Sequence, residues 1–312
     1  MLRLLALAVF AALILSAHAQ QQSAAEPTAA ALPKPGYFCD DEAPGWECPS
    51  LQVLLSETEP GGVLELPRGR YRQCLVIDRP VTLRGNGSLL FDTLCHRKAA
   101  IVQIAGPTVI EDIECTIGRF RESARGCLRL ERGQSGDVTL RRVHFRDSRN
   151  GVMGGDPSMR VVIEDSRFEG LGRTHGLYIF DAQELVIRRS RFLAGRNEGH
   201  EIKTEAARVV IEDSLLDNRG SIDSRLIDAY VGGELIIRRS VLRKDGNSSN
   251  WEMIGYHREP QRGSHPVNRI LIEDSVFFCS TKALPLGGPL PDSVRIERTR
   301  FVGDCQNVDR LH

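Results

Sequence analysis

Acid–base side chains gather in one segment of the chain, HGLYIFDAQELVIRRSRFLAGRNEGHEIKTEA, residues 175–206. It contains two histidines, a tyrosine and a lysine: His175, Tyr178, His200 and Lys203. Side chains of these types transfer protons in enzymes when burial or a neighbouring charge shifts their pKa values towards neutral pH. We therefore take these four residues as the candidate catalytic groups of the chain.

Seven similar segments repeat along the chain and predict the element that carries these residues. They are VTLRRVHF (138–145), VVIEDSRF (161–168), LVIRRSRF (185–192), VVIEDSLL (209–216), LIIRRSVL (235–242), ILIEDSVF (270–277) and VRIERTRF (294–301). Their spacing is 23 to 26 residues, except for one step of 35. A period in the twenties predicts a solenoid, and the alternation of apolar residues within each segment indicates strands. The Asp-Ser pairs within three of the segments, Asp165-Ser166, Asp213-Ser214 and Asp274-Ser275, are predicted to form turn ladders.

The segments GGVLELPRGRY (61–71) and VTLRGNG (81–87) resemble the first coil of right-handed parallel β-helix proteins of the pectate-lyase-like superfamily. The resemblance covers about residues 50–305 and implies an all-β, right-handed parallel β-helix, a solenoid of about nine or ten coils. We divide the chain into a signal peptide (1–19), a disordered leader (20–35), a short N-terminal cap (36–60) and the β-helix domain (61–312). Equivalent residues of successive coils should stack about 4.8 Å apart.

A second strand is predicted between the repeated segments, at a constant step along the chain. Six equivalent rows begin at equal intervals, at Arg125, Asn150, His175, His200, Arg225 and Asn250. Residues two and four positions further on are mostly apolar and should point into the core, so those one, three and five positions on should point outward. The outward row three positions on reads Leu128, Met153, Tyr178, Lys203, Asp228 and Met253.

Tyr178, Lys203 and Asp228 are therefore predicted to form a ladder on the outer face of the sheet, with His175 and His200 at the turn before it. The candidate substrate-binding residues are the ladder acid and its neighbours: Asp228, Glu201, Glu205, Arg225, Tyr230, Trp251 and Asn150.

The resemblance implies that an extended sugar chain binds along a sheet face, as in β-helix enzymes that act on sugar polymers. A lyase or epimerase that acts on a uronic acid needs a base for the C5 proton and a positive group for the carboxylate. A lyase also needs an acid for the leaving oxygen. We expect Lys203 to be the base or the positive group, and Tyr178 to be the acid, or both acid and base. We expect His175 and His200 to assist, and Arg225 could hold the sugar carboxylate by paired hydrogen bonds.

Two other functions stay open. A glycoside hydrolase would use two carboxylates, such as Asp228 with Glu201 or Glu205. The same acids on either side of Lys203 also fit a purely structural ladder of salt bridges, without a catalytic role. A non-catalytic carbohydrate-binding or cell-envelope solenoid would use the same aromatic groove for stacking.

The N-terminus and the cysteines indicate export. Arg3, the apolar residues 4–15 and the small-residue site Ala17-His18-Ala19 form a secretory signal, and cleavage near Ala19 would give a secreted or periplasmic protein. An even number of cysteines in an oxidising compartment predicts disulfides. The predicted pairs are Cys39–Cys48, Cys74–Cys95, Cys115–Cys127 and Cys279–Cys305.

Charge and composition bear on the partners. The chain has 41 Lys and Arg against 41 Asp and Glu, and removal of Arg3 with the signal leaves a net charge of −1. Nucleic-acid binding would need a basic excess. No later stretch approaches about 18 apolar residues, so we expect no membrane span. No C-x-x-C pair indicates zinc, and no dense Asp cluster demands Ca²⁺, although a Ca²⁺ site stays open. We expect a monomer without a cofactor whose partner is a polysaccharide.

Overall fold

The structure, a computed structural model, describes residues 36–118, 120, 125–133, 135–171, 174–193, 195, 199–248 and 250–308. The predicted signal peptide and leader lie outside these residues. Within the described ranges the secondary structure consists of 25 strands, the helix α1 (Leu51–Ser56) and a short 3-10 helix at Pro260–Arg262.

In chain order the strands are Cys39–Asp40, Val63–Glu65, Gly69–Tyr71, Leu75–Ile77, Val81–Phe91, Ala99–Gln103, Gly106–Thr116, Gly126–Leu130, Ser135–Arg141, His144–Arg146, Asn150–Glu164, Arg167–Glu169, His175–Arg188, Arg191–Leu193, His200–Thr204, Arg208–Glu212, Leu215–Asp217, Ile227–Ala229, Glu234–Arg238, Val241–Lys244, Glu252–Tyr256, Arg269–Glu273, Val276–Gly287, Ser293–Glu297 and Arg300–Cys305.

The strands pair in parallel with their equivalents in neighbouring coils and form an all-β solenoid of about 9 turns. The predicted parallel β-helix is therefore confirmed. Three parallel sheets run along it. The first sheet contains the repeated segments, as in the pairing of residues 161–164 with 185–188. The second contains short strands such as Arg167–Glu169 and Arg191–Leu193. The third contains the strands on which the candidate catalytic residues lie.

Apolar columns fill the interior of the solenoid. Ile163, Ile187 and Ile211 occupy one column of the first sheet and are fully buried. In the second sheet the rings of Phe168 and Phe192 stack with centroids 4.8 Å apart. Burying an aliphatic or aromatic side chain contributes roughly 1.5–3 kcal/mol. These columns therefore supply most of the free energy that holds successive coils together.

A ladder of buried serines joins the first and second sheets, as the repeats predicted. The Ser166 N–H donates to Ser190 Oγ at 3.1 Å, and the Ser190 N–H donates to Ser214 Oγ at 3.1 Å. Each serine hydroxyl in turn donates to a backbone carbonyl two residues earlier, as Ser190 does to Arg188. The serines are buried, so their hydroxyls satisfy backbone groups that lie away from water.

Beside the serines runs a column of alternating charge. The residue just before the serine has a left-handed backbone in each coil, with φ of 52° at Asp165, 48° at Arg189, 52° at Asp213 and 48° at Arg239. Aspartate tolerates this conformation, whereas arginine adopts it at a cost. Arg189 holds Asp165 by two hydrogen bonds, of 2.7 and 2.9 Å, and Arg239 holds Asp213 in the same way. These paired contacts offset the backbone strain.

The N-terminal end of the solenoid is covered by α1. Leu51 and Leu55 are fully buried and belong to the central core cluster. The side-chain amide of Gln52 makes the two hydrogen bonds that a preceding coil would make to Val76. Its Nε2 donates to the Val76 carbonyl, and its Oε1 accepts from the Val76 N–H. An uncovered strand edge would offer free backbone groups for aggregation. The predicted cap segment thus protects the first coils.

All four predicted disulfides are present: Cys39–Cys48, Cys74–Cys95, Cys115–Cys127 and Cys279–Cys305. Among the described residues no helix is long and apolar enough to cross a membrane.

Candidate functional site

The predicted ladder is present on the outer face of the third sheet. Tyr178 pairs in register with Lys203, and Lys203 pairs with Asp228, so the three side chains stand on consecutive coils. The next residue after Tyr178, Ile179, is fully buried, because successive residues of a strand point to opposite faces. The constant step along the chain therefore predicted the register of these central coils.

The register differs from the prediction at the N-terminal end of the ladder. Arg129, not Leu128, pairs with Met153. This shift by one residue turns Leu128 into the core and Arg129 outward. The sequence carried a signal of this, because the predicted register placed Arg129 in an inward row, where an unpaired charge would be costly.

The register also differs at the C-terminal end. Gly255, not Met253, pairs with Asp228, so this coil is longer than the predicted step. Met253 is consequently buried in the core. Glu252, which the prediction placed in an inward row, instead accepts a hydrogen bond of 2.6 Å from Arg225 Nε.

A column of hydrogen-bond acceptors marks the entrances of these strands. The His175 N–H donates to Asn150 Oδ1 at 3.2 Å. The His200 N–H donates to His175 Nδ1 at 3.2 Å, and the Arg225 N–H donates to His200 Nδ1 at 3.0 Å. Each side chain thus satisfies the first backbone donor of the next coil. This is the reason that the two histidines recur at the period of the coil.

The same column fixes the protons of both imidazoles. A ring nitrogen that accepts a hydrogen bond carries no proton, so the neutral rings carry theirs on Nε2. The two rings stack with centroids 5.1 Å apart. Burial, with a contribution from Lys203, lowers the pKa of His175 to about 3, and burial lowers the pKa of His200 well below its ordinary value. Both histidines are therefore neutral hydrogen-bond donors at neutral pH.

Asp228 is the buried member of the ladder, and its side chain is 1% exposed. Its Oδ2 is 3.3 Å from His200 Nε2 and 3.6 Å from Lys203 Nζ, and its Oδ1 is 3.3 Å from Arg225 Nη1. Burial raises the pKa of Asp228, and the charges of Arg225 and Lys203 oppose the rise. The guanidinium of Arg225 already holds two carboxylates, those of Asp228 and Glu252.

The long connection after Tyr256 brings Glu259 and Arg262 to the ladder. Lys203 Nζ is 3.3 Å from Glu259 Oε1 and 4.3 Å from the centre of the Tyr230 ring. The Arg262 guanidinium carbon is 5.2 Å from the centre of the same ring. The one long step between the repeated segments marked this connection in the sequence. Neither residue belongs to the repeat, so the sequence analysis missed both.

A groove of about 440 Å³ opens beside the ladder. It is lined by Arg129, Leu130, Arg132, Gly155, Tyr178, Phe180, Glu205 and Arg262. Its volume is in the range of small-molecule sites, roughly 300–1,000 Å³. Three of the lining side chains are arginines, whose planar guanidinium groups bind carboxylates by paired hydrogen bonds. The groove is therefore suited to an anionic ligand.

Tyr178 is the groove residue whose hydroxyl is available to a ligand. Its ring contacts His175 and Phe180 edge-on, with centroids 4.9 and 4.6 Å away, and these contacts fix its orientation. In the part of the chain that the structure describes, the Tyr178 hydroxyl has no protein hydrogen-bond partner, whereas the Tyr230 hydroxyl donates to Glu205 Oε1. A bound substrate could therefore exchange a proton with Tyr178.

Glu205 and Tyr230 lie next to Tyr178 in different environments. Tyr230, predicted to flank the ladder on the open face, is fully buried beneath Lys203 and Arg262. The Glu205 side chain is 23% exposed. Burial raises the pKa of Glu205, and Arg262 opposes the rise. Glu205 can therefore carry a proton more readily than an ordinary glutamate.

Glu201, which we expected beside the open ladder, is 3% exposed and faces away from the groove. Its carboxyl accepts a hydrogen bond from the Gly195 N–H and lies against Asp223. Burial and the neighbouring Asp223 raise the pKa of Glu201 well above its ordinary value. Burial lowers the pKa of Lys244, in the same cluster, to about 8. This cluster is separate from the ladder side chains.

Trp251 and Asn150 also lie outside the groove. Trp251 is 58% exposed and contacts Lys282, whose Nζ is 5.2 Å from the ring centre. Asn150 is fully buried in the acceptor column. The structure thus brings Tyr178, Lys203 and Glu205 together, whereas Trp251 and Asn150 do not belong to the groove.

Together these features define a class of protein, a parallel β-helix with an arginine-lined groove beside a tyrosine–lysine–aspartate ladder. Comparison of the chain with protein-family models, curated proteins and solved structures finds no match. Within the described ranges, no three His, Cys, Asp or Glu side chains form a set that could hold a metal ion.

Proposed function

We propose that this protein is a secreted or periplasmic polysaccharide-active enzyme of the pectate-lyase-like superfamily, a lyase or epimerase that acts on a uronic-acid-containing polysaccharide. One observation carries the proposal: the Tyr178 hydroxyl, without a protein partner among the described residues, lies in a groove lined by three arginines. An acid–base group beside carboxylate-binding cations is what C5 proton transfer in a uronic acid requires. Four disulfides support an oxidising compartment.

The groove supplies the cations for the substrate carboxylates. Arg129 lies over the Phe180 ring, with its guanidinium carbon 5.1 Å from the ring centre. Arg262 is half exposed and contacts Glu205 at 3.7 Å. Paired hydrogen bonds from Arg129 would hold a uronate carboxylate and withdraw electrons from C5, which makes the C5 proton easier to remove.

In the proposed reaction Tyr178, as the phenolate, removes the C5 proton. In a lyase the electron pair forms a C4–C5 double bond, the C4–O bond breaks, and the leaving oxygen takes the proton back from Tyr178. In an epimerase water delivers a proton to C5 from the opposite face, Tyr178 returns its proton to the hydroxide that this leaves, and no bond to carbon-bound oxygen breaks. Lys203 contacts two carboxylates, Asp228 and Glu259, an arrangement that suits a fixed positive charge better than a base.

The positions of the acids favour elimination over hydrolysis. A glycoside hydrolase needs two carboxyl groups that both reach the sugar. Asp228 lies under Lys203 with a side-chain exposure of 1%, and Glu201 is turned away from the groove. Glu205 is the one acid of the three whose carboxyl lines the groove.

The test is elimination by wild type and by Tyr178→Phe on polygalacturonate, alginate and glucuronan. We expect wild type to generate the ultraviolet absorbance of an unsaturated uronate, or, for an epimerase, to exchange C5 hydrogen with D₂O. Tyr178→Phe should lower either rate by at least roughly a hundredfold, the usual contribution of a general acid or base.

Tyr37→Phe is the matched control, because Tyr37 lies in a separate groove with Arg68 and Arg142. It should retain the wild-type rate. New reducing ends without unsaturated product would instead identify a hydrolase. Retention on a polysaccharide column with neither product would identify a binding solenoid, and either result would refute the proposal.

A further inference from the structure

We propose that Glu259 is a placeholder for the substrate: its carboxylate occupies, on Lys203, the position that a uronate carboxylate takes when the polysaccharide binds. This inference rests on the proposed function and adds a residue that sets selectivity. Glu259 would make the groove discriminate between acidic and neutral sugars.

The two carboxylates on Lys203 differ in how firmly they are held. Asp228 is 1% exposed, lies within a strand, and also contacts Arg225 and His200. The Glu259 side chain is 31% exposed. Solvent reaches Glu259 but not Asp228, so Glu259 is the partner that an incoming anion can displace.

The backbone around Glu259 is anchored, whereas its side chain is not enclosed. The Glu259 N–H donates to the Tyr230 carbonyl at 2.8 Å, and the Arg262 N–H donates to the Glu259 carbonyl at 2.9 Å. Further along the connection, His265 Nε2 lies 2.8 Å from the Glu205 carbonyl oxygen. The carboxylate could therefore rotate away from Lys203 without movement of the connection.

Arg262 offers the displaced carboxylate an alternative partner. Arg262 Nη1 is 3.5 Å from Glu259 Oε2, while Glu259 Oε1 contacts Lys203. A partly exposed ion pair of this kind contributes little to stability, so its exchange costs little. One carboxylate on Lys203 is replaced by another, and the local charge balance at the ammonium is preserved.

A neutral sugar cannot make this exchange. It brings no anion to Lys203, and displacing Glu259 would leave the ammonium with one carboxylate instead of two. Glu259 thus keeps Lys203 covered against neutral polymers, whereas an acidic polymer can displace it. A like-charge contact between Glu259 and the substrate is avoided only when the glutamate turns towards Arg262.

The test is binding of oligogalacturonate, oligoguluronate and oligoglucuronate hexamers, measured by calorimetry, for wild type, Glu259→Gln and Lys203→Gln. Glutamine keeps the shape of the side chain and removes its charge. We expect Glu259→Gln to bind the preferred acidic hexamer about threefold to tenfold more tightly than wild type. Binding of a neutral hexamer such as cellohexaose should become measurable or should strengthen relative to wild type.

A double-mutant cycle separates the placeholder from a general change in charge. In the Lys203→Gln background, Glu259→Gln should no longer tighten binding, because the effect acts through Lys203. Glu57→Gln, a matched change at an exposed site on the N-terminal segment, should leave binding unchanged. Circular dichroism of each variant checks that the solenoid is folded.

The outcomes distinguish this inference from the proposed function. If wild type binds or converts an acidic hexamer but Glu259→Gln binds it equally or more weakly, the placeholder role is refuted and the proposed function stands. The same conclusion holds if the tightening persists without Lys203. If wild type neither binds nor converts any of the acidic hexamers, both are refuted.

Discussion

At the scale of single residues, the hydrogen bonds of the two histidines determine which ring nitrogen carries the proton. Their Nδ1 atoms accept backbone N–H groups of the following coils, and this fixes Nε2–H towards the ladder side of the sheet. A neutral imidazole can donate a hydrogen bond to a developing negative charge without giving up its proton. His200 Nε2 is 3.3 Å from the Asp228 carboxylate. The histidines therefore support the ladder rather than act as its bases.

The acceptor column predicts how stability depends on pH. In the unfolded chain His175 takes up a proton near pH 6.5, whereas in the folded protein its pKa is lowered to about 3. The unfolded state thus binds more protons between these values, so stability is complete above pH 6.5 and falls as pH decreases towards 3. We expect His175→Asn to reduce the loss of unfolding free energy between pH 7.5 and pH 5 by about 2 kcal/mol.

Asparagine is the matched replacement, because Asn150 occupies the same column one coil earlier and accepts the same backbone donor. Urea denaturation at the two pH values measures the difference. His96→Asn, at an exposed position away from the groove, serves as the control and should keep the wild-type pH dependence. An unchanged pH dependence in His175→Asn would show that His175 is not the group that titrates.

At the scale of the strand and turn, the buried serine ladder predicts a measurable loss of stability. Ser190→Ala removes the acceptor of the Ser166 N–H and leaves that donor unpaired inside the turn. An unsatisfied buried donor costs about 1–3 kcal/mol, so we expect the unfolding free energy to fall by that amount. Ser190→Thr keeps the hydroxyl, as Thr299 does in the last coil, where it accepts from the Ser275 N–H.

Denaturation of the two variants under the same conditions makes the comparison. The threonine variant should lie closer to wild type than the alanine variant. If both lose the same stability, the cost arises from side-chain volume in the turn, and the hydrogen bond is not the cause.

Elements also explain how much of the site the sequence could predict. Where the coils have equal length, the prediction correctly paired Tyr178 with Lys203 and Lys203 with Asp228. A constant number of residues per coil is enough to give the register of neighbouring parallel strands. Coils of other lengths turned Leu128 and Met253 from the predicted outer face into the core. A short apolar pattern does not show such a change in coil length, although the charge of Arg129 in an inward row indicates the first of the two.

The rest of the site lies outside the repeat. Glu259 and Arg262 reach the ladder through a long connection whose path depends on tertiary contacts such as the His265 contact to the Glu205 carbonyl. The burial of Glu201 depends in the same way on Asp223, which lies in an irregular segment between strands. Periodicity predicts positions within coils and reveals where a connection is long, but it does not predict the path of that connection.

At the scale of the whole molecule, the disulfides concentrate near the two ends of the solenoid. Three bridges join cysteines between residues 39 and 127, and the fourth joins Cys279 to Cys305 in the last coils. Within the parallel sheets each coil pairs only with its neighbours, so the end coils are paired on one side and open first. The bridges therefore stabilise the end coils against local unfolding.

Removal of the Cys279–Cys305 bridge should increase local unfolding at the C-terminal end of the solenoid and nowhere else. We expect Cys279→Ser with Cys305→Ser to increase amide hydrogen exchange in Ser293–Glu297 and Arg300–Cys305 by up to roughly a hundredfold, the effect of losing about 3 kcal/mol of loop-closure stabilisation. Exchange in the central strand Arg208–Glu212 should stay at the wild-type rate. Faster exchange throughout the chain would show instead that the solenoid unfolds as a single unit.

The alternating column of aspartate and arginine has a consequence for how such a molecule can grow. Its charges repeat every two coils, not every one, from Asp165 and Arg189 to Asp213 and Arg239. A gene duplication that inserted a single coil would place like charges on adjacent layers, whereas insertion of two coils would continue the alternation. We therefore expect this lineage, and any engineered version of it, to gain or lose coils in pairs, with an inherited parity that the apolar core does not impose.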